Sequence, residues 1–318
     1  MLKKVKMNNK PLVSIFCVTY NHESYISQAI ESFLMQKTNF DFKIVIGEDC
    51  STDNTANVLK NYLQKYPNKI KVRFNKENIG IQANWFKTLQ ECNGKYIAIC
   101  EGDDYWTDSN KLQKQIDFLE ANPKYVACGH ECFARFYVTN SCRETTYSEW
   151  LNIIPQKQYT GEEFITSPIP FHVNSLVFRN SIKFDNKIRG IFLHALVGDY
   201  TLYAILANLG DVYFFSEIMS VYNMRSSGIA ITLNGNKLID FFKSIINSHN
   251  KINRYFNYKY DSAFNNLILL YFDKMMFNKI LYQNKFDFLW DCLLFIFTNK
   301  YGKKPFLMKV IYIAKTLF

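Results

Sequence analysis

In the stretch Tyr96-Ile97-Ala98-Ile99-Cys100-Glu101-Gly102-Asp103-Asp104-Tyr105-Trp106, an apolar run leads directly into three acidic residues. The apolar run is short and lies between two glycines, which is typical of a buried strand. Carboxylates are rarely buried unless they are paired or bind a cation. Here they follow the carboxyl end of a strand, which is where open α/β sheets bind their ligands.

Glu101, Asp103 and Asp104 supply the hard oxygen ligands that Mg²⁺ and Mn²⁺ prefer. Such an ion keeps coordination positions for substrate phosphates, so the three acids indicate a metal–diphosphate site. The alternative is a solvated acidic turn that happens to follow a strand. The three acids alone do not decide between the two interpretations.

Strand and helix patterns alternate on both sides of this stretch. Ser51 or Thr52 is expected to cap the second helix, and Asp108 or Ser109 the fourth. Strands that alternate with helices at this spacing predict βαβ units and a mainly parallel sheet in an α/β fold. The predicted strands span residues 12–18, 42–46, 69–74 and 96–100, and the predicted helices span 24–36, 54–66, 81–92 and 112–120.

Polar turns follow three of these strands. They are Thr19-Tyr20-Asn21, Glu48-Asp49 and Asp103-Asp104. Right-handed crossovers place the carboxyl ends of parallel strands at the same edge of the sheet. We therefore expect the three turns to meet in one crevice and to form a binding site.

The second half of the chain has a less regular pattern. Strands are predicted at 125–138 and 173–178, whereas 139–170 has no readable order. A helix is predicted at 193–209, with Gly198-Asp199 inside it or at its start. Short strands at 212–215 and 218–222 follow, and from about residue 236 the pattern is helical. The predicted domains are a basic tail (1–10), a catalytic α/β domain (11–230) and a helical, basic C-terminal region (231–318).

Composition and charge restrict the class of protein. The chain has 318 residues, 48% of them hydrophobic, and a net charge of +10. Residues 1–10 carry four lysines, and residues 240–318 carry 12 basic and 5 acidic residues, which leaves a net charge of −1 on the body. The neutral body argues against a nucleic-acid binder. Eight cysteines, most of them in apolar runs, indicate reduced thiols in a cytoplasmic protein, and no secretory signal or membrane-spanning run is present.

These motifs resemble those of the family 2 glycosyltransferases, which have the nucleotide-diphospho-sugar (GT-A) Rossmann-like fold. The resemblance covers roughly residues 11–230, and it is specific because the motifs occur in the expected order and spacing. The matching segments are Val13-Ser14-Ile15 through Thr19-Tyr20-Asn21, Ile44-Val45-Ile46-Gly47-Glu48-Asp49-Cys50-Ser51-Thr52-Asp53, Asn78-Ile79-Gly80, Gly94-Lys95-Tyr96-Ile97, Glu101-Gly102-Asp103-Asp104, Gly198-Asp199-Tyr200 and Val221-Tyr222.

The resemblance implies a role for each motif. Asp49 is expected to accept a hydrogen bond from a uracil ring. The metal that bridges the donor's diphosphate is expected at Glu101, Asp103 and Asp104. Asp199 is the expected general base, which implies a single displacement and inversion of configuration at the sugar. The full set of residues expected at the nucleotide is Thr19, Tyr20, Asn21, Glu23, Asp49, Asn78 and Asp103.

One position departs from the family pattern. Many relatives carry a histidine shortly after the Val-Tyr pair, and this chain has Arg225 there. Arginine does not ligate metals but can bind a phosphate with two hydrogen bonds, so Arg225 is predicted at the diphosphate.

The acceptor side is predicted less directly. Trp106 is either a ring that stacks on a sugar or a core residue, and His172 is either an acceptor contact or a structural histidine. A basic helix with one apolar face is predicted at residues 304–318. That helix fits peripheral docking on the inner face of the cytoplasmic membrane, or packing on the catalytic domain.

The sequence as a whole is interpreted as an inverting, metal-dependent glycosyltransferase. It would move a sugar from a nucleotide-sugar, a UDP-sugar in the first instance, to a hydroxyl of a glycan or lipid-linked glycan. The resemblance places this reaction in the biosynthesis of bacterial surface polysaccharide: capsule, O-antigen or lipooligosaccharide. The alternatives are a nucleotidyltransferase, which would need a glycine-rich phosphate loop after the first strand, and a catalytically degenerate family member that binds donor without turnover.

Overall fold

The fold is a mixed α/β structure built on one large sheet. The computed structural model describes residues 10–138, 141–166, 170–193, 195, 198–224 and 235–267. The strands in this part of the chain are β1 (Val13–Thr19), β2 (Phe42–Glu48), β3 (Ile70–Phe74), β4 (Tyr96–Ile99), β5 (Tyr105–Trp106), β6 (Tyr125–Val138), β7 (Ser141–Thr146), β8 (Gln158–Tyr159), β9 (Val177–Arg179) and β10 (Asp211–Met224).

The helices lie between the strands and on both faces of the sheet. A short 3₁₀ helix, Val173–Ser175, precedes β9. The α-helices are α1 (Ile26–Leu34), α2 (Thr55–Lys65), α3 (Ile81–Glu91), α4 (Lys111–Ala121), α5 (Tyr147–Leu151), α6 (Gly161–Thr166), α7 (Asn186–Leu193), α8 (Gly198–Leu209) and α9 (Gly235–Tyr255).

The sheet has two halves with different strand directions. Its order is β3-β2-β1-β4-β9-β6-β10-β5. Strands β3, β2, β1 and β4 are mutually parallel, as predicted. Strand β9 is antiparallel to both β4 and β6, whereas β6 and β10 pair in parallel along most of their length. We call β1–β4 the parallel half and β6, β9 and β10 the mixed half.

Alternation along β1 explains why helices cover both faces. Ile15 and Cys17 lie in a buried cluster with α1 and α4, whereas Phe16 and Val18 lie in a second cluster with α3, α7 and α8. All seven residues of β1 are buried. A strand that is apolar on both faces belongs in the centre of a sheet, and burial of each such side chain contributes roughly 1.5–3 kcal/mol.

Several predicted elements differ from the structure. The residues that precede α2 and α4 are Asn54 and Asn110, and neither uses a side-chain hydrogen bond, so the predicted cap of α2 at Ser51 or Thr52 is wrong. Before α4, Oδ1 of Asp108 accepts from the backbone N–H of Asn110 at 2.8 Å, so the side-chain bond expected of Asp108 is present just before the helix begins. The predicted strand 173–178 is a 3₁₀ turn followed by β9. The predicted helix 193–209 starts only at Gly198, after the separate helix α7. The two strands predicted at 212–215 and 218–222 are one strand, β10, with a register shift between Phe215 and Ile218.

The described part of the C-terminal region packs on the α/β domain. Ile252, Ala263, Phe264 and Leu267 belong to the same buried cluster as α7 and α8. Within the described residues, none of the helices combines the length and the apolar character needed to span a bilayer. The basic tail up to residue 9 and the helix predicted at 304–318 lie outside the described residues.

One fully buried lysine lies under the sheet. Lys111, the first residue of α4, donates from Nζ to Oε1 of Gln115 at 2.7 Å, and Nζ lies 4.1 Å from the centre of the Trp106 ring. Burial lowers the pKa of Lys111 to about 7. The ring and the amide provide its polar surroundings inside the core.

Candidate active site

The turns after β1 and β2 are joined by hydrogen bonds. Both contain a non-glycine residue with positive φ, Asn21 (55°) and Cys50 (58°). Oδ1 of Asn21 accepts from the backbone N–H of Thr52 at 2.8 Å, and Oε2 of Glu23 accepts from the backbone N–H of Asn54 at 2.8 Å. The side chains of Asn21 and Glu23 therefore hold the two turns together. Direct contact of either residue with a nucleotide stays a prediction.

Asp49 lies at the carboxyl end of β2 and is 2% exposed. Its Oδ1 accepts from the backbone N–H of Ile79 at 3.0 Å and from Nδ2 of Asn75 at 2.8 Å. These bonds fix the carboxylate against the turn that contains Asn78, where Oδ1 of Asn78 accepts from the backbone N–H of Gly80. The predicted nucleotide residues Asp49 and Asn78 thus lie in two turns, after β2 and after β3, that are hydrogen-bonded to each other.

The ends of β1 and β4 approach closely at Thr19 and Gly102. The backbone N–H of Gly102 donates to the carbonyl of Val18 at 2.9 Å, and a Cβ at Gly102 would lie 2.9 Å from Oγ1 of Thr19. Glycine is needed here because a side chain would not fit. Oγ1 of Thr19 is buried without a hydrogen-bond partner within the described residues, which is the state expected of a group that a ligand completes. Tyr20, the next residue, is 41% exposed.

The acids after β4 have different surroundings. Asp103 is partly exposed, and its Oδ2 lies 4.0 Å from Nε2 of His22 in the turn after β1. Oε1 of Glu101 accepts from Nε1 of Trp85 on α3 at 3.0 Å. The acidic turn and the turn after β1 therefore meet at one edge of the sheet, as the strand order predicts.

Asp104 is held inside the fold. Its Oδ1 accepts from the backbone N–H of Asn223 at 2.9 Å, and its Oδ2 accepts from Nδ2 of Asn174 at 3.0 Å. Burial raises the pKa of Asp104 well above its usual range, and the charges of Asp103 and Glu101 add to the rise. Both oxygens are engaged, so the structure does not support the predicted role of Asp104 as a metal ligand. It joins the acidic turn to the 3₁₀ helix and β10.

The predicted cluster of three metal ligands is not assembled. Within the described part of the chain, no group of three or more histidine, cysteine, aspartate or glutamate side chains is placed to hold a metal ion. Asp103 and Glu101 still concentrate negative charge at the sheet edge, and that charge raises the pKa of the buried Cys17 thiol beyond the effect of burial. Mg²⁺ and Mn²⁺ are commonly held by one or two carboxylates together with substrate phosphates. A cation held by Asp103 together with a substrate diphosphate stays a prediction.

Trp106 is a core residue. Its side chain is 1% exposed, its Nε1 donates to the carbonyl of Asn174 at 2.8 Å, and its ring packs on Phe33. A ring enclosed in this way cannot stack on a sugar. The core alternative therefore holds, and the acceptor role predicted for Trp106 is wrong.

Asp199 lies on the first turn of α8, beside the acidic edge. A Cβ at the preceding residue, Gly198, would be 3.8 Å from the ring of Trp85, whose Nε1 donates to Glu101. Oδ1 of Asp199 accepts from the backbone N–H of Tyr200 at 2.7 Å. Burial raises the pKa of Asp199 to about 6. A carboxylate with this pKa is ionised at neutral pH and is still basic enough to accept a proton.

Tyr222 connects the two groups of acids. Burial raises its pKa, and the charges of Asp104, Asp103, Glu101 and Asp199 all raise it further. The Tyr222 hydroxyl is therefore within electrostatic reach of both the acidic turn and Asp199.

His172 lies on the same side of the site as Tyr222. Their rings stack with centres 3.8 Å apart, and Nδ1 of His172 lies 3.6 Å from Oδ2 of Asp104. Burial lowers the pKa of His172 to about 4, so the ring is neutral at physiological pH. An acceptor contact by His172 stays a prediction. Arg225, predicted at the diphosphate, lies outside the described residues.

The sequence did not single out the residues that position the acids. Asn174 donates to Asp104 and to the carbonyl of Val221, and Nδ2 of Asn223 donates to the carbonyl of Asp103 at 2.5 Å. Trp85, on the buried face of α3, donates to Glu101 and orients it. Asn223 directly follows the Val221-Tyr222 pair, and that adjacency was the one signal available in the sequence.

The family to which the sequence is assigned agrees with the geometry of this edge. The sequence profile described as "Glycosyl transferase family 2" matches residues 14–184, which is more than half of the chain. The chain belongs to glycosyltransferase family 2. The matched segment contains the three polar turns and the acids after β4, and it ends before Asp199.

Relatives of this family 2 glycosyltransferase occur among bacterial proteins. The uncharacterized protein Rv1520 of Mycobacterium tuberculosis is 31% identical over 219 residues, which are 68% of this chain and 60% of Rv1520. TuaG of Bacillus subtilis, provisionally named a teichuronic acid biosynthesis glycosyltransferase, is 37% identical over 112 residues, which are 35% of this chain and 43% of TuaG. The chain therefore spans about 60% of the length of Rv1520 and less than half of TuaG.

The solved structures show the same fold. The 1–349 fragment of TarS from S. aureus, in complex with UDP-GlcNAc, superposes with a TM-score of 0.54 over 76% of this chain and 66% of that fragment, at 18% sequence identity. Similarity at this level of identity establishes the shared architecture. It confirms the predicted GT-A fold for this family 2 glycosyltransferase.

Proposed function

We propose that this glycosyltransferase moves one sugar from a nucleotide-sugar, with UDP as the nucleotide, to a hydroxyl of a glycan acceptor, with inversion at the anomeric carbon. The observation that carries the proposal is the placement of Asp199. It follows Gly198 at the start of α8, where a Cβ at Gly198 would lie 3.8 Å from the ring of Trp85, and Trp85 donates to Glu101 at the acidic edge. A single displacement requires a carboxylate that accepts the proton of the attacking hydroxyl. It also requires, nearby, a group that stabilises the negative charge on the leaving group.

The nucleotide is assigned to the edge formed by β1, β2 and the turn after β3. The carboxylate of Asp49 is buried, fixed by two donors, and can accept from the N–H of a uracil ring. Oγ1 of Thr19, which has no hydrogen-bond partner within the described residues, lies at the same edge. A cytosine ring carries no N–H at the corresponding position, so a carboxylate there favours UDP over CDP.

The transfer step uses Asp199 as the base. Its carboxylate takes the proton of an acceptor hydroxyl while that oxygen attacks the anomeric carbon of the donor sugar. The bond between the anomeric carbon and the diphosphate oxygen breaks, and the nucleoside diphosphate leaves with the electron pair. A divalent metal held by Asp103 and the diphosphate would neutralise the charge that develops on the leaving group.

The acceptor is proposed to be a surface-polysaccharide intermediate, free or linked to a lipid. The name of TuaG supports a role in cell-envelope polysaccharide synthesis. TarS supports a UDP-sugar donor, because its structure contains UDP-GlcNAc.

Calorimetric titration of UDP, GDP and CDP, each with and without Mn²⁺, tests the donor assignment. We expect UDP to bind more tightly than GDP or CDP, and to require Mn²⁺ for full affinity. Asp49→Asn is the matched variant, because it keeps the size of the side chain but presents an amide donor to the base. It should reduce the preference for UDP and leave the Mn²⁺ dependence intact. A folded protein that binds none of the three nucleotides would instead support the degenerate-member alternative.

A further inference from the structure

Four aromatic side chains form a closed cluster between Asp199 and the acidic turn. The ring centres are 5.7 Å apart for Tyr147 and Trp150, 6.4 Å for Trp150 and Tyr222, 3.8 Å for Tyr222 and His172, and 5.8 Å for His172 and Tyr147. We call Tyr147, Trp150, His172 and Tyr222 the aromatic platform. Each ring contacts two others, so the platform is one packed unit.

The platform contacts the acidic turn on one side. Nδ1 of His172 lies 3.6 Å from the buried carboxylate of Asp104. On the other side, the charge of Asp199 acts on the hydroxyls of both Tyr147 and Tyr222. Tyr203, one helical turn after Asp199 on α8, donates from its hydroxyl to the carbonyl of Phe171, the residue before His172, at 3.3 Å. The first turns of α8 and the platform therefore lie in the same part of the site.

Trp150 is the platform member that reaches solvent. It is 36% exposed, whereas Tyr147 is 9% exposed. The rings that contact Trp150 meet it at steep angles: 70° for Phe136, 63° for Tyr147 and 51° for Tyr222. By contrast, His172 and Tyr222 lie nearly parallel at 17° and cover each other. Among the described ring pairs, none stacks on the flat face of the indole.

The backbone that carries Trp150 is fixed at both ends of α5. Oγ1 of Thr146 accepts from the N–H of Glu149 at 3.3 Å, and Oε2 of Glu149 accepts from the N–H of Thr146 at 3.1 Å, which forms a capping box. The helix ends at Asn152 in the left-handed conformation, with φ of 52°. Glu131 anchors the first residue, because its Oε1 accepts from the N–H of Tyr147 at 3.1 Å. A helix of five residues fixed in this way holds its tryptophan in one place.

We infer that Trp150 binds the pyranose ring of the acceptor by stacking, and that the acceptor is therefore a sugar within a glycan and not an acyclic alcohol. This inference rests on the proposed function, because Asp199 must be the base for the position to matter. The apolar C–H face of a pyranose matches the flat, electron-rich face of an indole. The neutral His172 and the hydroxyl of Tyr222 lie beside the stacked ring and can bind its hydroxyl groups.

Saturation-transfer NMR of the UDP-bound protein tests the inference with simple probes. The probes are methyl β-D-glucopyranoside, methyl β-D-galactopyranoside and methyl N-acetyl-β-D-glucosaminide, and sorbitol serves as the acyclic control. We expect transfer to the ring C–H protons of at least one glycoside and none to sorbitol. Trp150→Ala should weaken glycoside binding roughly tenfold, the loss typical of an aromatic anchor, and Trp150→Phe should retain most of it. Tyr258→Ala removes a 39% exposed ring outside the platform and should change nothing.

The outcomes separate this inference from the proposed function. UDP binding is measured in the same samples and should be equal in the wild type and in Trp150→Ala. Unchanged glycoside binding in Trp150→Ala, equal transfer to sorbitol, or UDP binding without binding of any glycoside would overturn the stacking role alone. A wild-type protein that binds glycosides through Trp150 but no nucleotide would keep the stacking role and overturn the donor assignment. Binding of neither kind of ligand would overturn both.

Discussion

The two halves of the sheet present different chemistry at the same edge. In the parallel half, the strands end in polar turns whose side chains bond to one another, as Asn21 bonds to Thr52 and Asp49 to the backbone of Ile79. In the mixed half, β10 and α5 present rings, including Tyr222 and Trp150. Directional hydrogen bonds suit a nucleotide, which has fixed donors and acceptors. A flat aromatic surface suits a sugar ring and tolerates variation in it.

Asp103 and Asp104 show the same contrast within two adjacent residues. Asp103 faces the parallel half and lies 4.0 Å from His22. Asp104 faces the mixed half and bonds to Asn174 and Asn223. Two adjacent carboxylates can therefore have different roles, one at the donor site and the other in stabilising the fold. Each of the substitutions and measurements below tests whether the two halves act independently.

The largest expected effect is on catalysis at the boundary between the halves. Asp199→Asn should reduce transfer roughly 10²- to 10⁴-fold, because it removes the base that accepts the acceptor's proton. UDP affinity should stay within about twofold, since the side chain lies outside the nucleotide turns. Transfer assays with UDP-sugars, together with calorimetry of UDP, measure the two effects. Retained transfer in the variant would mean that another group is the base.

Asp103→Ala and Asp104→Ala form a matched pair with opposite expected effects. Asp103→Ala should weaken Mn²⁺-dependent UDP binding by about tenfold or more and change stability by less than about 1 kcal/mol. Asp104→Ala leaves the buried donors of Asn174 and Asn223 unpaired and should cost about 1–3 kcal/mol of unfolding free energy. Denaturant unfolding and calorimetry of both variants distinguish the roles. Equal loss of metal-dependent binding in both would return Asp104 to the ligand set.

Asp49→Ala and Trp150→Ala should affect different substrates. Asp49→Ala should raise the KM for the UDP-sugar several-fold and leave the KM for the acceptor unchanged. Trp150→Ala should raise the KM for the acceptor several-fold and leave the KM for the UDP-sugar unchanged. Steady-state kinetics with each substrate varied in turn will show this, and a variant that raises both KM values would argue against separate donor and acceptor halves.

The smallest effect is the dependence of transfer on pH. Burial raises the pKa of Asp199 to about 6, so the base is ionised above pH 6 and protonated below it. The rate of transfer at saturating substrates should be level from pH 7 to 8 and fall about tenfold per pH unit well below 6. The inflection should disappear from the residual activity of Asp199→Asn. An unchanged inflection there would assign it to a different group.

The sequence predicted the parallel half well because its signals are local. Each strand is a continuous apolar run, and each turn at its end has a recognisable polar composition, so β1 to β4 were placed within one or two residues. The cap of α2 was misplaced because Ser51, Thr52, Asp53 and Asn54 are all residue types that favour a cap. Composition alone does not choose among four such neighbours.

The mixed half could not be predicted because its partners are distant in sequence. Asp104 bonds to Asn223, which is 119 residues away, and Trp106 is buried by Phe33 and Asn174. Neither a hydrophobic pattern nor a motif records such pairings. The aromatic platform likewise combines residues from α5, from the turn before the 3₁₀ helix and from β10, in a segment where 139–170 showed no readable order.

The buried amine of Lys111 makes the stability of the whole protein depend on pH. Its amine is buried and has a pKa of about 7, whereas a lysine in the unfolded chain has a pKa near 10.4. Between pH 7 and about 8.5, the unfolded chain therefore binds more protons than the folded protein, and linkage requires the fold to become more stable as the pH rises through this range. Above about 8.5, the buried thiols act in the opposite direction, because unfolding lets them ionise. Melting temperatures across this range should show the rise, and calorimetry in buffers of different ionisation enthalpy should show that unfolding takes up a proton from solution.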